Sequence, residues 1–258
     1  MKQIRSITFV RDLSGDLWIP DGEIPANGYP VVLVIHGGAW RALDRSAMAG
    51  ISEMLCNNGL AVFNIDYCLA PEHPYPAGLE DCRTAAAFLY ENAEKYHLNR
   101  KLLFILGASA GGHYALLTGL CPANYQAAGI ISISGINDIY ADFVVHKERY
   151  ELLLGTEPVP ELLREINPST YCRENAPEVF CTHFNEDQVV PVECCRAFVA
   201  EAEKHKMKVG AYYYNLSREG QGHGIWIPEK LPEKELYPDI SANIIYFINH
   251  IINRKQQL

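Results

Sequence analysis

No window of the 258-residue chain reaches the length and apolarity of a membrane span. The opening stretch, MKQIRSITFVRDLSGDLWIP, also lacks the apolar core of a secretory leader. A cytoplasmic location with no membrane partner is the resulting expectation. Positive charge is scarce: 22 Lys and Arg stand against 31 Asp and Glu, and no basic cluster relieves the net charge of −9. That balance argues against nucleic acid and anionic lipid as partners. The closing RKQQL, Arg254–Leu258, reads as a frayed terminus. The chain also lacks any C-x-x-C pair. Its eight cysteines (Cys56, Cys68, Cys82, Cys121, Cys172, Cys181, Cys194 and Cys195) are scattered among apolar neighbours, the pattern of buried free thiols rather than of a disulfide framework. Cys194 and Cys195, adjacent on an expected helix, point in two directions and make a poor clamp, so no metal is expected.

Repeats, low-complexity tracts and dividing linkers are missing too, so residues 1–258 are read as one domain. What the chain does have is alternation. Short β-rich runs occur at ITFV, VVLVIH, AVFNIDY, LLFIL, GIISIS, VFCTHF and KVGAYYY. Helical stretches lie between several of them, notably SAMAGISEMLCNNG and GLEDCRTAAAFLYENAEKYH. Strands apolar on both faces, separated by amphipathic helices, predict a mostly parallel sheet covered by helices. The more polar pair SITFVRD and DLWIP predicts an antiparallel edge. One segment breaks the rhythm: residues 136–178 are too long for a plain connection and carry short helices, as a lid or substrate wall would, with a purely structural insertion as the alternative.

The run LLFILGASAGGHYALLTGL places one hydroxyl, Ser109, among residues with almost no side chains. A strand ending near Gly107 and a helix starting after Ser109 force a tight, strained turn, where side chains at positions 107 and 111 would collide with their surroundings. Gly107-Ala108-Ser109-Ala110-Gly111 fits the G-x-S-x-G pattern that presents a nucleophile at a helix N-terminus. Such a serine needs a base, and the base an orienting carboxylate. Asp187 ends the strand VFCTHFNED, and His223 sits between glycines in GQGHGIW, after KVGAYYY. Ser109, Asp187 and His223 follow the chain order of an α/β-hydrolase, each at or beyond the C-terminal end of a strand. Glu186 and, further back, Asp138 are the weaker candidates for the acid. His97 and His250 are expected on helix surfaces, His113 in packing or capping, and His183 in a structural role.

The strand VVLVIH runs into HGGAW, His36–Trp40. Glycines there let the backbone turn its N–H groups towards the serine. The amides of Gly38, Ala39 and Ala110 are the expected oxyanion donors, with Gly37 serving the turn and His36 fastening the loop.

HGGAW, DYCLAPEHPYPAGLEDC and GASAGG together resemble the hormone-sensitive-lipase group of α/β-hydrolase esterases, over roughly residues 30–226. The resemblance implies an eight-stranded α/β-hydrolase fold with helices on both faces, a cofactor-free Ser-His-Asp mechanism and carboxylic esters as substrates. Ala39 stands where the family usually has a third glycine, Ala108 where an acidic residue is frequent, and Cys68 in place of an arginine. The family's long helical cap has no counterpart ahead of the first strand. These departures are similar to compact HGG-A-W esterases, a group that includes carbohydrate acetylesterases, feruloyl-type esterases and aryl formamidases. The expectation is a serine esterase for short acyl esters such as acetylated carbohydrates, with feruloyl esters and formamides left open. A silent ligand-binding protein on the same scaffold is the reading from another class. Trp40, the 136–178 segment and Trp226 are expected to wall the pocket, although each tryptophan reads equally well as core. For oligomeric state the sequence offers only two surfaces for a homodimer, an open sheet edge and that same segment.

Overall fold

The computed structural model describes residues 2–215, 222–224, 226 and 237–256, with side chains from Ser6 onward. Its centre is an eight-stranded sheet built from β1 (Lys2–Val10), β2 (Leu13–Ile19), β3 (Tyr29–Ile35), β4 (Ala61–Ile65), β5 (Leu98–Ala108), β6 (Gly129–Ile133), β7 (Glu178–Phe184) and β8 (Val209–Tyr214). The strand order is β1-β2-β4-β3-β5-β6-β7-β8. β1 and β2 pair antiparallel with each other, β2 pairs antiparallel with β4, and the remaining ladders are parallel. The polar pair at the N-terminus therefore forms the antiparallel edge that its composition predicts.

The interior strands are apolar on both faces because both are covered. In β3, Val31, Leu33 and Ile35 join one core while Val32 and Val34 join the other. β5 splits the same way, with Leu103 and Ile105 opposed to Phe104 and Leu106. The first core is closed by α2 (Ala77–Glu91), α3 (Ala110–Leu120) and α7 (Val192–Lys204), and the second by α1 (Ala49–Asn57) and α8 (Pro238–Gln256). In α8, Ile240, Ile244, Ile248 and Ile251 are buried, a stripe at helical spacing that faces the sheet.

Two local expectations need correction. The helix over GLEDCRTAAAFLYENAEKYH ends at Glu91, because Asn92 caps it with its backbone N–H and its side-chain amide, both aimed at the Phe88 carbonyl. His97 consequently lies in an exposed turn at φ +55°, not on a helix. Arg254–Gln256 are not frayed but form the last turn of α8, where Arg254 pairs with Glu178 and Lys255 donates to the Lys101 carbonyl. Residues 257–258 lie outside the described part of the chain.

The 136–178 segment carries α4 (Ile139–Phe143), α5 (Lys147–Leu154), α6 (Pro160–Glu165) and a 3-10 turn at Pro168–Tyr171. Ile139, Tyr150, Leu153, Leu163 and Ile166 all enter the first core, so the segment is anchored along its length. Of its exposed apolar residues, Tyr140, Val144 and Val145 lie within or just after α4, and Val159 precedes α6. Among the described residues no helix is long and apolar enough to cross a membrane.

Candidate active site

The site grows from the turn between β5 and α3. Ser109 adopts φ 55° and ψ −124°, a left-handed conformation that a non-glycine residue holds only when its surroundings enforce it. Its N–H is tied to the Ile133 carbonyl at 2.9 Å, and its own carbonyl accepts from Gly112 and His113 as α3 starts. A Cβ on Gly107 would land on the Gly111 carbonyl, and one on Gly111 would land on the carbonyls of Ile35 and His36. Turn, helix and neighbouring strand approach so closely that only hydrogen fits at these two positions.

Three residues far apart in the chain converge here. With His223 Nδ1–H donating to Asp187 Oδ2 at 2.8 Å, His223 Nε2 is left to accept from the Ser109 hydroxyl at 3.0 Å. The carboxylate is itself held, since Asp187 Oδ1 accepts the N–H groups of Val189 and Val190 at 2.9 and 3.0 Å. Burial alone would raise the Asp187 pKa, but the hydrogen bond and charge of His223 and the two amides bring it below the usual carboxylate range. Asp187 is thus an anion at neutral pH, fixed at the ring it orients. Ser109, at 6% exposure, and half-buried His223 keep a narrow opening to solvent.

The weaker acid candidates are placed elsewhere. Asp138 caps α4, accepting from the amides of Tyr140 and Ala141, and its other oxygen accepts from Ser169 Oγ and Asn167 Nδ2. Glu186 is exposed.

The His36–Trp40 loop bends over the serine. Gly38 has φ +114°, and a Cβ there would overlap the Ala42 carbonyl; Ala39 and Trp40 follow at φ 51° and 61°. This succession turns the loop back on itself, with the Gly38 carbonyl accepting from Arg41 and Ala42. Among the described residues, the amides of Gly38, Ala39 and Ala110 donate to no protein acceptor. They are therefore free for an incoming oxygen, and Ala110 begins α3, whose N-terminal dipole favours negative charge. A Cβ on Gly37 would stand 3.1 Å from Ser109 Cβ, so the loop lies directly against the hydroxyl-bearing residue. His36 fastens this loop: its Nδ1–H donates to the Gly37 carbonyl at 2.6 Å and its ring stacks on Tyr67 at 4.3 Å. The Tyr67 hydroxyl donates to the His36 carbonyl.

Trp40 and Trp226 are both buried. Trp40 is a correction: its side chain is 0% exposed, donates from Nε1 to His113 Nδ1 at 3.2 Å and packs against Tyr150. It stands in the core beneath the loop rather than on a pocket wall, because its ring is large enough to tie the 136–178 segment to α3. Trp226 is also buried, at 3% exposure within the second core, and lies edge-on to His223 with ring centres 4.8 Å apart. His113 packs as expected, donating from Nε2 to the Ile166 carbonyl. Two features carried too little sequence signal to be found. One is Arg11, from the β1–β2 turn, which pairs with buried Asp81 beneath Cys68. The other is the proximity of His183 to Asp187, at 3.6 Å. Among the described residues no group of three or more His, Cys, Asp or Glu could hold a metal ion.

Sheet order, parallel core and the strand–serine–helix turn at its centre define an α/β-hydrolase fold. Within that class the chain belongs to the BD-FAE family, whose model matches residues 16–201. A curated relative, Esterase LipC of Mycobacterium tuberculosis, is 30% identical over 222 residues, covering 78% of this chain and 54% of that protein. The chain spans about half the length of the curated relatives it matches first. Among solved structures, a truncated carbohydrate esterase from gut microbiota superposes with a TM-score of 0.82 at 20% identity, over 97% of this chain and 96% of that one. The acetyl ester-xyloside bifunctional hydrolase of Caldicellulosiruptor lactoaceticus gives a TM-score of 0.75 at 22% identity, over 92% and 88%. At these identities the two likenesses speak for the fold.

Proposed function

We propose that the protein is a serine carboxylic-ester hydrolase with Ser109 as nucleophile, His223 as general base and acid, and Asp187 as the orienting anion. The observation that carries this reading is the unbroken hydrogen-bonded row from Ser109 Oγ through the His223 ring to Asp187. Ser109 attacks the ester carbonyl as His223 Nε2 takes its proton. Negative charge on the carbonyl oxygen is met by the amides of Gly38, Ala39 and Ala110, and His223 then protonates the departing alcohol. Water repeats the sequence on the acyl-enzyme and frees the acid.

Short acyl groups on carbohydrate alcohols are the proposed substrate class. Trp226 sets a large buried ring edge-on to His223, with ring centres 4.8 Å apart, beside the base that serves the nucleophile. Two structural neighbours, the truncated carbohydrate esterase and the acetyl ester-xyloside bifunctional hydrolase, agree with that class. The test compares turnover of acetyl, butyryl, octanoyl and feruloyl esters and an N-formyl arylamine, with Ser109→Ala as blank. A steep, Ser109-dependent preference for acetyl supports the reading. Preference for feruloyl or formyl substrates reassigns the substrate, and absence of Ser109-dependent turnover on all five removes the enzyme.

A further inference from the structure

A second histidine lies behind the acid. His183 is the next-to-last residue of β7, fully buried, with Nε2 at 2.9 Å from the Val190 carbonyl and 3.6 Å from Asp187 Oδ2. Val190 is also one of the two residues whose amides hold Asp187 Oδ1. A single ring thus grips, through an N–H donor, the peptide segment that grips the carboxylate. On its other side, Nδ1 makes no hydrogen bond, and the Cys195 thiol of α7 lies close enough to the ring to act on its charge. Cys195 is fully buried and also meets Cys181 of β7 and Tyr213 of β8. The register pairs His183 with Tyr213 across the β7–β8 ladder and sets Cys181 two residues behind on the same strand face. The cluster is therefore fixed by sheet geometry rather than by flexible side chains.

We propose that His183 is a positioning residue for the triad: its Nε2–H holds the 187–190 turn so that Asp187 Oδ2 stays aimed at His223 Nδ1. The proposal rests on the reading of Ser109, His223 and Asp187 as the catalytic row. A buried neutral filler would explain packing against α7. It would not explain why the ring's one satisfied nitrogen is spent on the carbonyl of the residue that binds the acid. Electrostatics points the same way. Burial pushes the His183 imidazolium down, yet the adjacent Cys195 outweighs it and the net direction is up. The neighbouring Cys181 and His183 in turn pull the Cys195 thiol down.

The test compares His183→Leu, which removes the donor, with His183→Gln, whose side-chain amide nitrogen falls where Nε2 stood. Both are assayed on the acetyl ester beside Ser109→Ala, with thermal melting to confirm folding. Misaiming the acid by a fraction of an ångström to about 1 Å predicts a kcat loss of ~10- to 100-fold in His183→Leu. KM should be unchanged, and His183→Gln should recover most of the rate. Should His183→Leu not fold, His183→Asn carries the test: its amide is too short to reach the Val190 carbonyl, and the same fall in kcat at constant KM is expected. A folded His183→Leu or His183→Asn with wild-type kcat overturns the proposal, as does a His183→Gln equally impaired. Turnover retained in Ser109→Ala would instead sink the triad reading, so the two failures are told apart.

Discussion

Replacing Asp187 by asparagine changes one atom and leaves almost every contact in place, which makes its consequence calculable. The side-chain oxygen that accepts from Val189 and Val190 is held by two amides, so the asparagine carbonyl must occupy that position. Its NH2 group then faces His223 Nδ1 at the place where Asp187 Oδ2 now stands, 2.8 Å away. Two donors cannot face each other, so Nδ1 becomes an acceptor and the ring proton moves to Nε2. That tautomer has no lone pair for the Ser109 proton at 3.0 Å. Loss of the correct tautomer at such a row costs about 10⁴ in kcat, or ~5 kcal/mol of transition-state stabilisation. The assay is initial-rate hydrolysis of an acetyl ester at neutral pH, with circular dichroism to confirm the fold. A variant within about tenfold of wild type would refute the reasoning, since so small a loss is incompatible with an inverted tautomer.

Other substitutions probe separate parts of the account. Gly38→Ala should lower kcat ~100-fold or more with little change in KM, because the Ala42 carbonyl already occupies the space a Cβ needs and an oxyanion donor is turned away; steady-state kinetics decides it. Trp40→Phe should cost about 1–3 kcal/mol in denaturant titration through the lost hydrogen bond to His113 and lost packing, and should leave acyl preference unaltered, as fits a core residue. A shift in acyl preference would return Trp40 to the pocket wall. His113 is buried and its pKa is pushed down to about 4 by burial, against the opposing Ile166 carbonyl. Its unfolded value is ~6.5, so the unfolded chain binds the extra proton first as pH falls. Its contribution to stability is complete above that value and is lost between there and about 4, to the extent of ~3 kcal/mol. Equilibrium unfolding from pH 7 to 4 should show this slope in wild type and a shallower one in His113→Gln.

The parts legible in the sequence were those where one residue type is forced by local geometry. Gly107, Gly111 and Gly38 each stand where a side chain would strike a backbone carbonyl. Asp187 and His223 each follow a strand whose apolar run is easily recognised, which is why their convergence on Ser109 could be anticipated from order alone. The sheet followed from runs apolar on both faces. What stayed hidden depends on contacts between distant segments. Nothing near position 40 tells that Trp40 meets His113 and Tyr150 instead of solvent. Helix periodicity continues past Glu91, and only the Asn92 side chain reaching back to Phe88 ends it. The guanidinium that satisfies Asp81 arrives from Arg11, 70 residues earlier, in a hairpin turn with no sequence mark of that role. His183 looked structural, and its grip on the acid-bearing turn emerges only when β7 and the following loop are seen together.

The central claim is that Ser109 is activated by the row ending at Asp187. The most direct measurement is covalent labelling with an alkyl fluorophosphonate, followed by intact-mass analysis and peptide mapping. The account predicts one phosphonyl group per chain on Ser109, ester turnover falling in step with labelling, and labelling slowed by orders of magnitude in Asp187→Asn. A folded protein that takes no label, or that keeps its ester turnover once Ser109 is labelled, would contradict it.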